Sequence, residues 1–328
     1  MTSTPFSTEL LCYAQLLSTT YLGLANGIFE AISKKPLRPE NIAESVNCNV
    51  SYVACWMDVA IDLNLVKLDK DGFLKLSELT DSLQISRSNP DAARILQAVY
   101  SVLISDAMVP YFRNGHQPGY SIVEGFNNIA PFYGAISESL YGSVFDVTVL
   151  PQLSFLTEIM SDFPTVLDFG CGDGWIMRRM AQTYPMLKYL GVTFSQPHEL
   201  PDQENIEYIT NIEFEQDQRL FDLIVLNKIL HHLGENCTNV LKQLIAKLAQ
   251  NGRIMIWEFA WPPETGTSVE SDDRTFLNLI EHVQNSKFIE TNKIISSLIS
   301  CGMAVNTVNI CEGREVVIFA FLLPIEKK

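Results

Sequence analysis

The sequence predicts an α/β protein in two parts: a mainly helical, winged-helix-like half over residues 1–150 and an α/β half over residues 151–328 built on a mostly parallel sheet. Three observations lead there. The chain has 328 residues, more than one hydrophobic core usually holds, so two domains are expected. Apolar residues recur at spacings of three and four in the first third, and later gather into short unbroken runs separated by helical stretches. A glycine-rich turn closes the first of those runs.

From Leu10 to about Ile104 the pattern is helical, with Leu22, Ile28, Phe29 and Ile32 on its apolar face. Pro39 opens a short helix through Val46, because proline suits a first helical turn. Ser51 is placed to cap a second helix from Tyr52 to Leu63. The period then changes to two: Val66 and Leu68 precede Asp71-Gly72, and Leu74 and Leu76 follow it, which signals a hairpin. Helix, helix, hairpin is the outline of a winged helix, whose second helix would read DNA. Here that helix holds no Lys or Arg and includes Asp58 and Asp62, so it is poorly equipped to meet phosphates. Its apolar residues suit contact with a second copy, and an isologous homodimer is the commonest outcome.

In the second half, Thr165 to Phe169, Tyr189 to Thr193, Ile206 to Ile209, Phe221 to Leu226 and Arg253 to Glu258 are short apolar or β-branched runs, as expected of parallel strands covered on both faces. Ala304 to Ile310 and Glu315 to Leu323 flank a tight turn at Glu312-Gly313, and so must pair antiparallel.

Composition narrows the function. A net charge of −15 surrounds the molecule with negative potential and disfavours nucleic acid and anionic membranes as partners. The longest apolar run, Val316 to Leu323, is too short to cross a bilayer, so no membrane span is expected. Met1 to Glu9 has neither the basic start nor the apolar core of a secretory signal, which points to a cytoplasmic protein. The seven cysteines are scattered, without a CxxC pair, and are expected as buried reduced thiols rather than disulfides or zinc ligands.

The most informative stretch is Val166-Leu-Asp168-Phe-Gly170-Cys-Gly172-Asp-Gly174-Trp175. Glycines at alternate positions let the backbone turn sharply and approach a ligand, and Asp168 at the strand end can hold an ammonium group. A dinucleotide fingerprint would need glycine where Trp175 stands, and a P-loop would need a following Lys.

This stretch resembles motif I of the class I S-adenosylmethionine-dependent methyltransferases. Residues 15 to 85 resemble the dimerisation domain of the caffeic acid and acetylserotonin O-methyltransferase type, and Ser105 to Tyr120 resembles the segment joining it to the catalytic half. The resemblance implies a Rossmann-like seven-stranded methyltransferase sheet ending in a reversed hairpin, with S-adenosyl-L-methionine bound by Asp168, Gly170, Gly172 and Gly174. It implies further cofactor contacts at Thr193, Asn211 and Asn227. Two of these depart from the family pattern: Thr193 replaces an acid that would clamp the ribose hydroxyls, and Asn211-Ile212 replaces a Gly-Asp pair near the adenine.

In Leu226-Asn-Lys-Ile-Leu-His231-His232-Leu233, the residue matching the family's general base is His231. Imidazole titrates near neutrality and suits removal of a hydroxyl proton as oxygen attacks a methyl group. The resemblance thus implies O-methylation of a small molecule, a natural product or secondary metabolite, with His231 catalytic and His232, His282 and Tyr133 as substrate contacts. Other readings stay open. His231 can have a structural role, or His231 and His282 can hold a metal that chelates an α-keto acid for C-methylation, as in phenylpyruvate-type enzymes. A methyltransferase-like protein with another activity is a further alternative. Tyr111, Phe132, Tyr141, Trp261 and Phe276 are candidate pocket aromatics, whereas His116 and His198 carry no pattern.

Overall fold

A computed structural model describes residues 5–80, 90–114, 133–158, 165–194, 203–263, 273–283 and 286–322. The chain forms two compact units, one within Met1–Ala107 and Phe126–Leu140, the other within Met108–Gly125 and Tyr141–Lys328.

In the first unit, helices α1 (Pro5–Ala25), α2 (Ile28–Lys34), α3 (Pro39–Ser45) and α4 (Val50–Asp62) precede a hairpin of β1 (Val66–Leu68) and β2 (Leu74–Leu76), followed by α5 (Pro90–Asn114). Pro39 stands in the first turn of α3, where its missing N–H costs nothing. The cap of α4 is Asn49 rather than Ser51: the helix begins earlier than expected, and Asn49 Oδ1 accepts from the Ser51 N–H at 2.9 Å. The core gathers Leu24, Ile28, Phe29, Ile32, Ile42, Trp56, Leu65 and Leu74. Trp56 meets Phe29 edge-on at 5.6 Å and donates its Nε1–H to the Thr19 carbonyl at 2.8 Å. Leu22 is not part of this core, being 49% exposed.

Asp91–Pro110, within α5, is long and apolar enough to cross a membrane by length and composition alone, a test that a core helix also passes. Asp91, Arg94 and Asp106 interrupt it, so no unbroken apolar run betrays it. Ala92, Ala93, Leu96, Val99 and Ile104 are buried within the protein.

The second unit carries a seven-stranded sheet in the order β5-β4-β3-β6-β7-β9-β8. Its strands are β3 (Thr165–Phe169), β4 (Lys188–Thr193), β5 (Ile206–Thr210), β6 (Phe221–Asn227), β7 (Leu248–Phe259), β8 (Met303–Ile310) and β9 (Glu315–Leu322). β3 to β7 pair in parallel; β9 runs antiparallel between β7 and β8. β6 is buried from Phe221 through Leu226, so it reads as a continuous apolar run. One face packs on α7 (Trp175–Thr183) and the segment Phe145–Thr157 through Phe145, Leu153, Met177 and Trp257. The other packs on α9 (Cys237–Ile245) and α11 (Thr291–Ser300) through Leu241, Leu244, Ile294 and Leu298. The remaining helices are α6 (Tyr133–Val144), α8 (Asn211–Gln216) and α10 (Asp273–Val283).

β7 starts at Leu248 rather than Arg253. Its pairing with β6 skips from Phe221↔Leu248 to Leu223↔Arg253, and Asn251 takes a φ of 70°, so Gln250-Asn-Gly forms an irregularity inside the strand instead of a turn before it. The thiols are free, but only Cys171 and Cys237 are buried, whereas Cys12 and Cys55 are exposed on helices α1 and α4.

Candidate active site

The glycine loop leaves the carboxyl end of β3 and enters α7. Gly170, Gly172 and Gly174 have φ of 83°, 57° and 74°, a region that glycine enters without the steric cost of a side chain. Gly170 N–H and Cys171 N–H both donate to the Val192 carbonyl, which folds the loop back over β4. A Cβ on Gly170 would stand 2.5 Å from Ile229 Cγ1, and one on Gly174 would collide with the Tyr208 hydroxyl. A Cβ on Gly172 would meet nothing within 4 Å: the middle of the loop faces open space.

Around that space lie polar groups without partners. Asp168 is 2% exposed and its Oδ1 has no hydrogen bond; burial first, and the nearby Asp173 charge second, push its pKa up to about 7. Asn227 Oδ1, at the end of β6, is likewise buried and unpartnered. In a folded interior such groups cost free energy unless something pairs with them. Thr193 ends β4, buried, with its hydroxyl donating to the Ile209 carbonyl at 3.5 Å, which leaves its lone pairs to accept. Asn211 is the first residue of α8, half-buried, beside the capping box of Thr210 and Glu213.

The segment after β6 turns at Lys228, which has a φ of 51°, and enters a short 3-10 helix, Leu230–Asn236. Ile229 packs on Gly170, so glycine loop and histidine segment are adjacent. His231 is 3% exposed and its Nδ1 lies 2.9 Å from Glu258 Oε2, while Glu258 Oε1 accepts the Leu230 N–H at 2.8 Å. A carboxylate partner assigns the proton to Nδ1 and leaves the Nε2 lone pair available. Burial works against the imidazolium, but the Glu258 carboxylate, with Glu281 behind it, prevails and holds the His231 pKa above its ordinary value. His232 is pushed down to about 3 by burial and by His231, and so stays neutral. Phe259 and Phe288 stack at 4.4 Å, Phe288 meets the His231 ring edge-on at 5.4 Å, and Trp261 meets Phe288 at 5.6 Å.

His282 does not join this group. It is exposed on α10, while its neighbour Glu281 faces inward, 4.0 Å from His231 Nε2 and 3.5 Å from His232 Nδ1. Successive helix positions differ by about 100° in direction, so only one of the two residues can face the histidines. Among the described residues the close donor group is His231, His232 and Glu281, without His282. Tyr141 is half-buried, with its ring 3.3 Å from Lys228 Nζ, and Phe276 is 40% exposed. The side chains of Tyr111 and Tyr133, together with Phe132, His116, His198, Leu323 and residues 115–120 of the joining segment, lie outside the described residues.

Glu258 and Glu281 are not among the residues the sequence singles out. Glu258 has a signal, a charged residue inside the buried run Ile254 to Phe259; Glu281 has none apart from the helix it shares with His282. Lys228 is a third such residue: its ammonium is held 2.8 Å from Glu315 Oε1, and the Trp257 indole N–H donates to the other Glu315 oxygen.

Residues 148–289 match a protein family described as a methyltransferase domain. Among curated proteins, the bergaptol O-methyltransferase of Ammi majus is 29% identical over 32% of this chain and 30% of its own length. The caffeic acid 3-O-methyltransferase of Zinnia elegans is 26% identical over 38% of this chain and 36% of its own. The chain thus aligns with about a third of the length of these relatives. Solved structures agree over nearly the whole chain. Human N-acetylserotonin methyltransferase in complex with S-adenosylmethionine superposes with a TM-score of 0.70 at 15% identity, covering 98% of this chain and 99% of that one. An O-methyltransferase family protein from Burkholderia thailandensis does so with 0.70 at 14% identity, covering 98% of each. The chain therefore has the fold of these methyltransferase structures and matches, over residues 148–289, a family described as a methyltransferase domain.

Proposed function

We propose that the protein uses S-adenosylmethionine to methylate a hydroxyl oxygen of a small natural product, in the cytosol and as a homodimer. One observation carries the reading: beside the glycine loop, Glu258 holds His231 by Nδ1 and leaves Nε2 to accept a proton. The residues present suit the cofactor. Asp168 offers an unpartnered buried carboxylate to an ammonium group, Asn227 offers an unpartnered carbonyl oxygen, and the space over Gly172 admits a nucleoside close to the backbone. Thr193 and Asn211 are at the positions for the ribose and adenine, and His232, neutral beside His231, is the candidate acceptor contact.

S-adenosylmethionine supplies a methyl group on a cationic sulfur. With the cofactor bound, the acceptor oxygen would bond to that methyl as the carbon–sulfur bond broke with its electron pair left on sulfur, and His231 Nε2 would take the hydroxyl proton. Glu258 stabilises the imidazolium so formed, as a buried carboxylate does for a histidine base. Holding the oxygen and methyl in line accounts for most of the acceleration expected, with the base adding about a hundredfold or more. Phe259, Phe288 and Trp261 give an aromatic acceptor something flat to pack on.

For the dimer, the support is the exposed apolar face of the first unit. Leu10, Leu11 and Tyr13 on α1 and Tyr52, Val59 and Ile61 on α4 are exposed, and the two helices flank a groove of about 880 Å³.

The test has two arms. Calorimetry with S-adenosylhomocysteine should show saturable binding that Asp168→Asn weakens. Methyl transfer to a panel of phenols and alcohols should fall by about a hundredfold in kcat for His231→Ala with the cofactor affinity unchanged. Failure of the nucleoside to bind at millimolar concentration would sink the assignment; an undiminished His231→Ala rate would remove the base.

A further inference from the structure

The histidine cluster contains more donors than a base needs. One donor atom each of His231, His232 and Glu281 lies within 4.8 Å of the other two. Glu281 Oε2 stands 3.5 Å from His232 Nδ1 and 4.0 Å from His231 Nε2. Donors on a common ion with bonds of about 2.1 Å sit roughly 3.0–3.4 Å apart, so side-chain shifts of about 2 Å or less close the set. Two imidazoles and one carboxylate are the donor set of first-row divalent ions, and three protein ligands leave coordination positions open.

Two further features resemble a built site. Glu258 accepts the His231 Nδ1–H, which fixes the ring and directs the Nε2 lone pair at the cluster, the outer layer that metal-bound histidines commonly have. The Ser286 hydroxyl donates to Glu281 Oε2 and fixes that carboxylate in turn. The stacked Phe259 and Phe288 wall the His231 ring, which keeps the cluster partly dry.

We propose that His231, His232 and Glu281 form a site for a first-row divalent transition ion, with open positions for oxygen donors of a small molecule that chelates. The site goes beyond the methyl-transfer reading. His231 Nε2 has one lone pair, so a bound ion and a proton exclude each other. In the loaded protein His231 is a ligand and not a base.

The test uses the full chain, stripped with a chelator and free of cofactor and acceptor, so its outcome does not depend on whether methyl transfer occurs. Titration with Co²⁺ should give visible d–d bands that saturate at one equivalent. Glu281→Gln, which keeps the side-chain shape, and His232→Ala should each weaken binding by about tenfold or more, and Glu258→Gln, which removes no ligand, by about ten- to a hundredfold. His282→Ala should bind as the parent does. Thermal melts of each variant check that it folds, with His232→Asn in place of any that does not. Absence of saturable Co²⁺ binding at millimolar concentration, parent-like affinity in both Glu281→Gln and His232→Ala, or loss of binding in His282→Ala would each overturn the site.

Discussion

Asp168 joins burial, an orphaned oxygen and a pKa of about 7 in one side chain, against 3.8 for an ordinary aspartate. Its folded pKa is raised, so the contribution it makes to stability is full below pH 3.8 and is lost as the pH rises through about 7. Every tenfold change in the ionisation equilibrium between the folded and unfolded chain corresponds to about 1.4 kcal/mol. Asp168→Asn removes this pH dependence: without cofactor, the variant should gain on the parent in denaturant unfolding as the pH rises from 4 to 7, with the difference level above that. Its nucleoside affinity should fall at the same time, because the amide offers the ammonium no charge. A variant whose stability tracks the parent at every pH would show that the carboxyl finds a partner in the folded protein. Asp168 and its glycines are legible in the sequence because a turn between strand and helix is local. Glu258 and Glu281 are not, because their meeting with His231 and His232 depends on how β7 and α10 approach the end of β6.

Strands are legible where both faces of the sheet are covered, as in β3 and β6, since burial on both sides demands an unbroken apolar run. Element ends are less so. The sequence reading puts the cap of α4 at Ser51, and backbone geometry puts it at Asn49, which has an extended ψ of 129° and an oxygen that reaches the Ser51 N–H. Asn49→Ala should therefore destabilise the first unit by about 1 kcal/mol, and Ser51→Ala by less, in chemical denaturation. Equal losses would mean that both side chains share the cap. Lys228 shows the same dependence on geometry. A lysine after a buried strand reads as a surface residue until Glu315 and the Tyr141 ring are brought against it.

The acidic balance of the whole chain and the cation-free α4 agree with the proposed apolar contact between copies through the first unit's outer helices. Light scattering should give twice the chain mass of 36.9 kDa, and Val59→Glu, on the rim of the groove between α1 and α4, should shift it toward the monomer. A monomer at every concentration would remove the dimer from the reading. The two-part architecture is legible because the first part reads mainly in a helical period and the second as short apolar runs separated by helical stretches. The membrane-compatible length of α5 is not, because its charges are spread thinly enough for the average, though not any single run, to be apolar. The order β7-β9-β8 also ties distant parts of the chain together. Glu315, on the penultimate strand position of the sheet, is the counter-ion of Lys228, which lies 87 residues earlier in the chain. Until β9 pairs beside β7, the Lys228 ammonium lacks its carboxylate next to the Tyr141 ring, so the interior of the sheet depends on a strand far along the chain.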